Sequence, residues 1–176
     1  EIVGGNLIAG GIQQLGGIVS GAVSGIFQAA AKEQTQLVGL RTFLGKEGAD
    51  AAFANIKQDA AATPYSVDSL VGVNSALISA GLNAKEARTD TMALANAIAA
   101  TGGGDDELGR MAANMQQIKT LGKATALDIK QFGYAGINIY KLLADATGKP
   151  IEQVKEMEVS YELLSTALRA AGQSGG

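Results

Sequence analysis

Apolar residues at helical spacing, cut again and again by glycine, set the limits on what this chain can build. "KEQTQLVGLRTFLG" carries Leu37, Leu40 and Leu44 on one face of a helix and stops at Gly45. "GADAAFANIKQDAAAT" follows, with Phe53 and Ile56 on one side. Pro64 then forces Thr63 out of the helical region. Ser66 is placed to cap a helix bearing Leu70, Val73 and Leu77, which Gly81 closes. Asn83 and Glu86 have the spacing of a capping box, ahead of Met92, Leu94 and Ile98 and a terminal "TGGG".

The second half repeats the scheme. Asp105 is expected to cap a helix whose buried stripe is Leu108, Met111, Met115 and Ile118, ending before Gly122. Thr125 with Asp128 predicts the cap of a short helix that ends at Gly133. Another helix runs through Ile137, Tyr140, Leu142 and Leu143 to Gly148. Pro150 suits the first turn of "PIEQVKEM", where a missing N–H costs nothing. Ser160 caps a last helix with Leu163, Leu164 and Leu168 that ends at Gly172. No stretch of four or more residues alternates as an exposed strand must. The expected fold is all-α: a compact multi-helix bundle of short antiparallel helices, preceded by a Gly/Ala-rich apolar helix.

That leading segment, residues 1–31, has no charge between Glu1 and Lys32 and reads IVGGNLIAGGIQQLGGIVSGAVSGIFQAAA. Ile8, Ile12, Leu15, Val19, Val23 and Ile26 recur at helical spacing. Gly17, Gly21 and Gly25 form a small-xxx-small ridge that lets another backbone come close. Two readings stand. The run is long enough for a membrane helix, which needs ~20 mainly apolar residues. Against that, Asn6, Gln13, Gln14, Ser20, Ser24 and Gln28 interrupt it, which fits a helix packed against copies of itself or a partner.

Composition removes several functions. The 176 residues suffice for one domain with a core, and they include no Cys, no His and no Trp. Disulfides, thiolate nucleophiles, the commonest general base and the commonest transition-metal ligand are therefore missing. Net charge is −3 without a Lys/Arg run, so the electrostatic footprint of a nucleic-acid binder is lacking. No basic n-region precedes the apolar start, so no signal peptide is recognisable. The chain opens on Glu1 and closes on "QSGG", and reads as a piece of something longer, with 173–176 a linker to the remainder.

"GKATALDIKQFGYAGINIYKLLADATGK", residues 122–149, invites a phosphate-loop reading, which fails. A P-loop needs Gly five positions before its Gly-Lys, yet Lys46, Lys123 and Lys149 have Leu40, Gln117 and Leu143 there. Helix-ending Gly accounts for all three. "GGGDDE" at 102–107 lacks the alternating acids of a Ca²⁺ loop, and acids at a helix N-terminus are favoured by the macrodipole. Glu47, Asp59, Asp68 and Glu86 lie in no context that would pair two carboxylates for glycoside chemistry. Tyr65, Tyr134, Tyr140 and Tyr161 could line a groove, although Tyr at helix ends more often packs its ring and keeps its hydroxyl wet. No catalytic residue, metal ligand or cofactor site emerges, and the chain is not expected to be an enzyme.

The order of landmarks, by contrast, is specific. "LRTFLG" at 40–45, "AAATPYSVDSL" at 60–70, "LISAGLNAKEA" at 77–87 and "ANAIAATGG" at 95–103 come first. "MQQIKTLGKATALDIKQFGYAGI" at 115–137, "LLADATGK" at 142–149 and "EQVKEM" at 152–157 follow. In this order they resemble the conserved N-terminal region of bacteriophage and prophage tail tape measure proteins, over roughly Lys32 to Gly176, with 32–172 as the helical tape measure domain. One departure is that "MEVSYELL" runs straight through Ser160, where relatives often carry a Gly-containing loop.

The resemblance implies a structural role. Such a protein is long and largely helical, lies in several copies inside the tail tube, sets tail length and leaves ahead of the DNA. Residues 32–172 would then be an accessory helical domain making protein–protein contacts. The implied partners are other copies of itself and the tail tube, tail tip and tail assembly chaperone proteins, with no specific nucleic-acid binding. The implied location is the virion, inside the tail tube, after assembly in the bacterial cytoplasm. The alternative is that residues 1–31 act on the host membrane to help DNA enter.

Overall fold

Gly45 takes φ 70 and ψ 178, a backbone conformation that a residue with a Cβ adopts only under strain. The helical run is broken there, as "LRTFLG" leads one to expect, but helix resumes at once on the far side. Both parts form α1 (Asn6–Ala61). The computed structural model describes the backbone of residues 6–174, with side chains at 25 and 27–172. Beyond α1 it contains α2 (Val67–Ser79), α3 (Ala84–Ala100), α4 (Asp105–Leu121), α5 (Ala126–Tyr134), α6 (Ile139–Thr147), α7 (Ile151–Lys155) and α8 (Tyr161–Ser174). Among the described residues there is no strand, only one antiparallel bridge between Lys123 and Ser160. The fold is all-α.

The chain divides into two units, Glu1–Val38 and Gly39–Gly176. In the first, the step in charge at Lys32 leaves no mark on the backbone, which is helical on both sides of it. Phe27 is exposed, and the Thr35 hydroxyl donates to the Ala31 carbonyl at 3.0 Å. No helix among the described residues is long and apolar enough to cross a membrane.

In the second unit the start and stop signals act largely as expected. Ser66 Oγ accepts from Ser69 N–H at 3.1 Å and opens α2. Asn83 and Glu86 complete their capping box at α3, and Thr125 and Asp128 theirs at α5. Gly148 closes α6 in the left-handed conformation, and Ser160 Oγ accepts from Leu163 N–H at 3.1 Å at the head of α8.

Five details differ, the first being that α6 begins at Ile139, so that Ile137 lies in the connection before it. Asp105 is not the cap of α4: Gly104 occupies that place without a side-chain bond, and Asp105 Oδ1 instead accepts from Ser66 N–H at 3.2 Å. The short α5 passes through Gly133 and ends at Tyr134, because the turn is made by Gly136 at φ 78. Pro150 sits just before α7 with an extended ψ of 149, outside the first turn. Lastly, α8 continues past Gly172 to Ser174. Gly is unfavourable inside a helix by roughly 1 kcal/mol, which neighbouring packing overrides.

Most residues of the expected stripes are buried, while Leu37, Leu44, Met92, Tyr140, Leu142 and Leu163 are only partly so. Leu70, Val73 and Leu77 of α2 and Leu108, Met111, Met115 and Ile118 of α4 are all buried, and these two helices pack on each other. Here α3 lies against α2, α4 and chiefly α8, while α6 lies against α7 and α8. Phe53 and Ile56 of α1 are buried as well. Each such side chain contributes roughly 1.5–3 kcal/mol on burial. The Asp59 carboxylate fixes the end of α1, accepting from Arg88 Nε at 2.8 Å and Nη2 at 2.7 Å.

The connection before α8 is pinned by backbone bonds. Ala124 N–H donates to Val159 O at 2.8 Å and Tyr161 N–H to Gly122 O at 3.3 Å. The loops that precede α5 and α8 therefore brace each other.

Candidate functional site

Asp90 lies on the buried face of α3 with Ala87, Thr91, Leu94 and Ile98 and is 1% exposed. A carboxylate taken out of water needs donors, and α8 supplies them from successive turns of one face. Tyr161 Oη donates to Asp90 Oδ2 at 2.7 Å. Ser165 Oγ and Arg169 Nε donate to Asp90 Oδ1, each at 2.6 Å. Burial, followed by the hydrogen bond and charge of Asp90, raises the Tyr161 phenol above its ordinary value.

The cluster borders a polar cavity of about 290 Å³ whose lining includes Glu86, Lys119, Glu162 and Thr166. Lys119 Nζ donates to Glu162 Oε1 at 2.9 Å and stands 5.0 Å from the centre of the Tyr161 ring. That hydrogen bond leads the effects that lower the Glu162 pKa. With both oxygens engaged by donors from α8, Asp90 clamps α3 to α8.

A second concentration of features surrounds the α5–α6 corner, Gly133 to Asn138. Tyr134 there is 77% exposed. On one side lies a cleft of about 560 Å³ floored by the buried Ile129, Ile137 and Ile139 and walled by Lys130, Tyr134 and Tyr140. On the other, Ala97, Ala100, Leu142 and Ala171 line a more apolar cleft of about 600 Å³ that shares Ile137 and Asn138. Gly136 permits the corner twice over: φ is 78, and an added Cβ would meet Thr101 Cβ and Cγ2 at 3.2 Å.

The residues singled out from sequence fall as follows. Gly17 and Gly21 lie outside the residues whose surroundings are described; Gly25 is exposed, with open space where a Cβ would stand. The helix-packing or membrane role of the ridge rests on sequence alone. Asp59 and Glu86 serve structure, in the Arg88 fork and the α3 capping box. No group of three or more Asp or Glu among the described residues could hold a metal ion.

The tyrosines split. Tyr134 is open to solvent, while Tyr65 is buried with its hydroxyl 3.1 Å from both the Ala95 and Gly103 carbonyl oxygens. Tyr65 and Tyr161 thus depart from the wet-hydroxyl expectation, because their rings enter the core where carbonyls and Asp90 await them. Sequence reasoning also missed Asp90 itself. The available signal was an acid three residues after Ala87 and four before Leu94, on the apolar stripe of α3.

Comparison with protein-family models, curated proteins and solved structures returned no match.

Proposed function

We propose that this chain is a structural part of a phage or prophage tail tape measure protein, and that residues 32–172 form a helical module making protein–protein contacts. The observation that carries the reading is the ordered string of landmarks from "LRTFLG" to "EQVKEM". Each motif alone is a short apolar-plus-Gly pattern; their joint order and spacing are what resemble the family.

In this reading the module acts through shape and surface. It assembles with other copies of itself and with tube, tip and chaperone proteins, and it leaves the tail ahead of the DNA. The test is mass spectrometry of purified tails before and after DNA ejection is triggered. Peptides from residues 32–172 are expected in intact tails and depleted from emptied ones. Their absence from intact tails overturns the proposal. Membrane action by residues 1–31 remains the second reading, carried by the uncharged run to Ala31.

A further inference from the structure

We propose that Gly45 is a hinge in α1, latched in its bent form by the Arg41–Asp50 pair, with a second form in which residue 45 turns helical and α1 runs straight through it. The hinge belongs to α1 itself and holds whether or not the tail reading does.

Helical period supplies the first part of the case. Nine positions along an uninterrupted α-helix make about two and a half turns and advance ~13.5 Å, so residues at that spacing face opposite ways. Arg41 and Asp50 are nine apart, yet Arg41 Nη2 donates to Asp50 Oδ1 at 2.7 Å. Leu40 and Ala49 have the same spacing, and both are fully buried. Leu44 and Phe53 repeat it, the first half-buried and the second buried. The apolar face before Gly45 is thus half a turn out of phase with the face after it. A straight α1 would turn Leu40 away from the side on which Ala49 and Phe53 pack.

The bend hangs on one residue. Within the described part of α1, Gly45 alone leaves helical φ and ψ. Its φ of 70 with ψ of 178 is open essentially to glycine. A Cβ there would meet nothing within 4 Å, so glycine answers a demand of the backbone and not of space. Resetting this one pair of angles to about −63° and −42° joins the two parts into a single helix.

Each form has something in its favour. The bent one buries Leu40 and makes the Arg41–Asp50 pair. Those two side chains are 38% and 46% exposed, a setting in which ion pairs contribute little and fade with salt. The bent form also buries Arg41 Nε without a hydrogen-bond partner, which counts against it. Straightening releases that N–H and regains unbroken helical hydrogen bonds, but gives up the burial of Leu40. A single residue that absorbs the whole change in φ and ψ between two such forms is how hinges are built.

The experiment is double electron–electron resonance on the full chain, which has no native Cys. Spin labels go on Gly39→Cys and Gln58→Cys, both at exposed positions. Their backbone separation in a straight helix is ~28 Å, and any bend between them shortens it. The parent should show mainly the shorter distance. Gly45→Ala should raise the ratio of long to short by about tenfold or more, with helicity by circular dichroism undiminished. Arg41→Gln, and 1 M NaCl on the parent, should each raise that ratio by about twofold to fivefold. Should Gly45→Ala fail to fold, the Arg41→Gln and salt shifts decide alone. Retention of the short distance in a folded Gly45→Ala, or indifference to both Arg41→Gln and salt, overturns the proposal. So does a broad distribution with lost helicity, which would mean that residues 39–44 unwind instead of straightening.

Discussion

Tyr161 and Asp90, separated by 71 positions in the chain, meet at 2.7 Å in the interior and hold α8 to α3. The bond has a charged acceptor and is buried, conditions under which one hydrogen bond contributes roughly 1.5–3 kcal/mol. Tyr161→Phe removes the donor and keeps the ring. Urea unfolding should show a loss of about 2 kcal/mol with an unchanged m-value. A loss below a few tenths of a kcal/mol would mean that Ser165 and Arg169 suffice alone.

The same pair gives stability a pH dependence with a definite sign. The folded state raises the Tyr161 pKa above its ordinary 10, chiefly through burial and then through Asp90. Below pH 10 the phenol is protonated in both states and its contribution is fully present. Above it the unfolded chain loses the proton first, so stability falls as pH rises, by up to about 1.4 kcal/mol per pH unit for one proton. Tyr65, raised by burial and then by Asp105, adds in the same direction. Unfolding free energies measured on both sides of pH 10 should decline less steeply in Tyr161→Phe than in the parent. Parallel slopes contradict the assignment.

Thr91 offers a gain rather than a loss. It is 1% exposed, and its hydroxyl oxygen has no hydrogen-bond partner. An unpaired buried hydroxyl costs roughly 1–3 kcal/mol, and valine has nearly the same shape. Thr91→Val should therefore raise the melting temperature, read by calorimetry. A fall would place a hydrogen bond at that oxygen.

Gly103 and Gly136 govern the turns around α4 and α5 through close approach. A Cβ on residue 103 would lie 2.5 Å from Ile98 Cγ2, so Gly103→Ala should cost about 1–3 kcal/mol in thermal unfolding. In Gly136→Ala the clash is with Thr101, and Thr101→Ser, which removes Cγ2, should restore part of the loss. Strict additivity of the two changes would show that backbone strain alone is at work.

Local chemistry was written openly in the sequence. Ser66, Asn83 with Glu86, Thr125 with Asp128, Gly148 and Ser160 each act within four residues, so their spacing states their role. The stripes Leu70–Val73–Leu77 and Leu108–Met111–Met115–Ile118 were equally legible, since helical period alone selects them. Asp105 misled because Gly104 is itself an acceptable cap, leaving the Asp105 carboxylate available to Ser66 across the fold. Gly133 misled because α5 uses the later Gly136 for its turn. Contacts at long separation, such as Asp90 with Tyr161, Ser165 and Arg169, leave only one trace: a charged residue on an apolar stripe. The cleft under Tyr134 left none, because its walls come from two helices and the corner between them.

The glycine ridge yields a prediction from sequence alone. Gly21→Leu should obstruct close helix approach and lower the oligomer mass of the full chain in multi-angle light scattering. An unchanged mass removes the ridge as an association element. Dye release from liposomes by the full chain, abolished when residues 1–31 are deleted, would favour the membrane reading instead.

The tail-protein reading is tested most directly by tail length. In-frame deletions in the parent gene, made outside the segment encoding residues 32–172, are to be compared with the undeleted gene by electron microscopy of assembled tails. Shortening in proportion to the residues removed is the expected result. Tails of unchanged length contradict it.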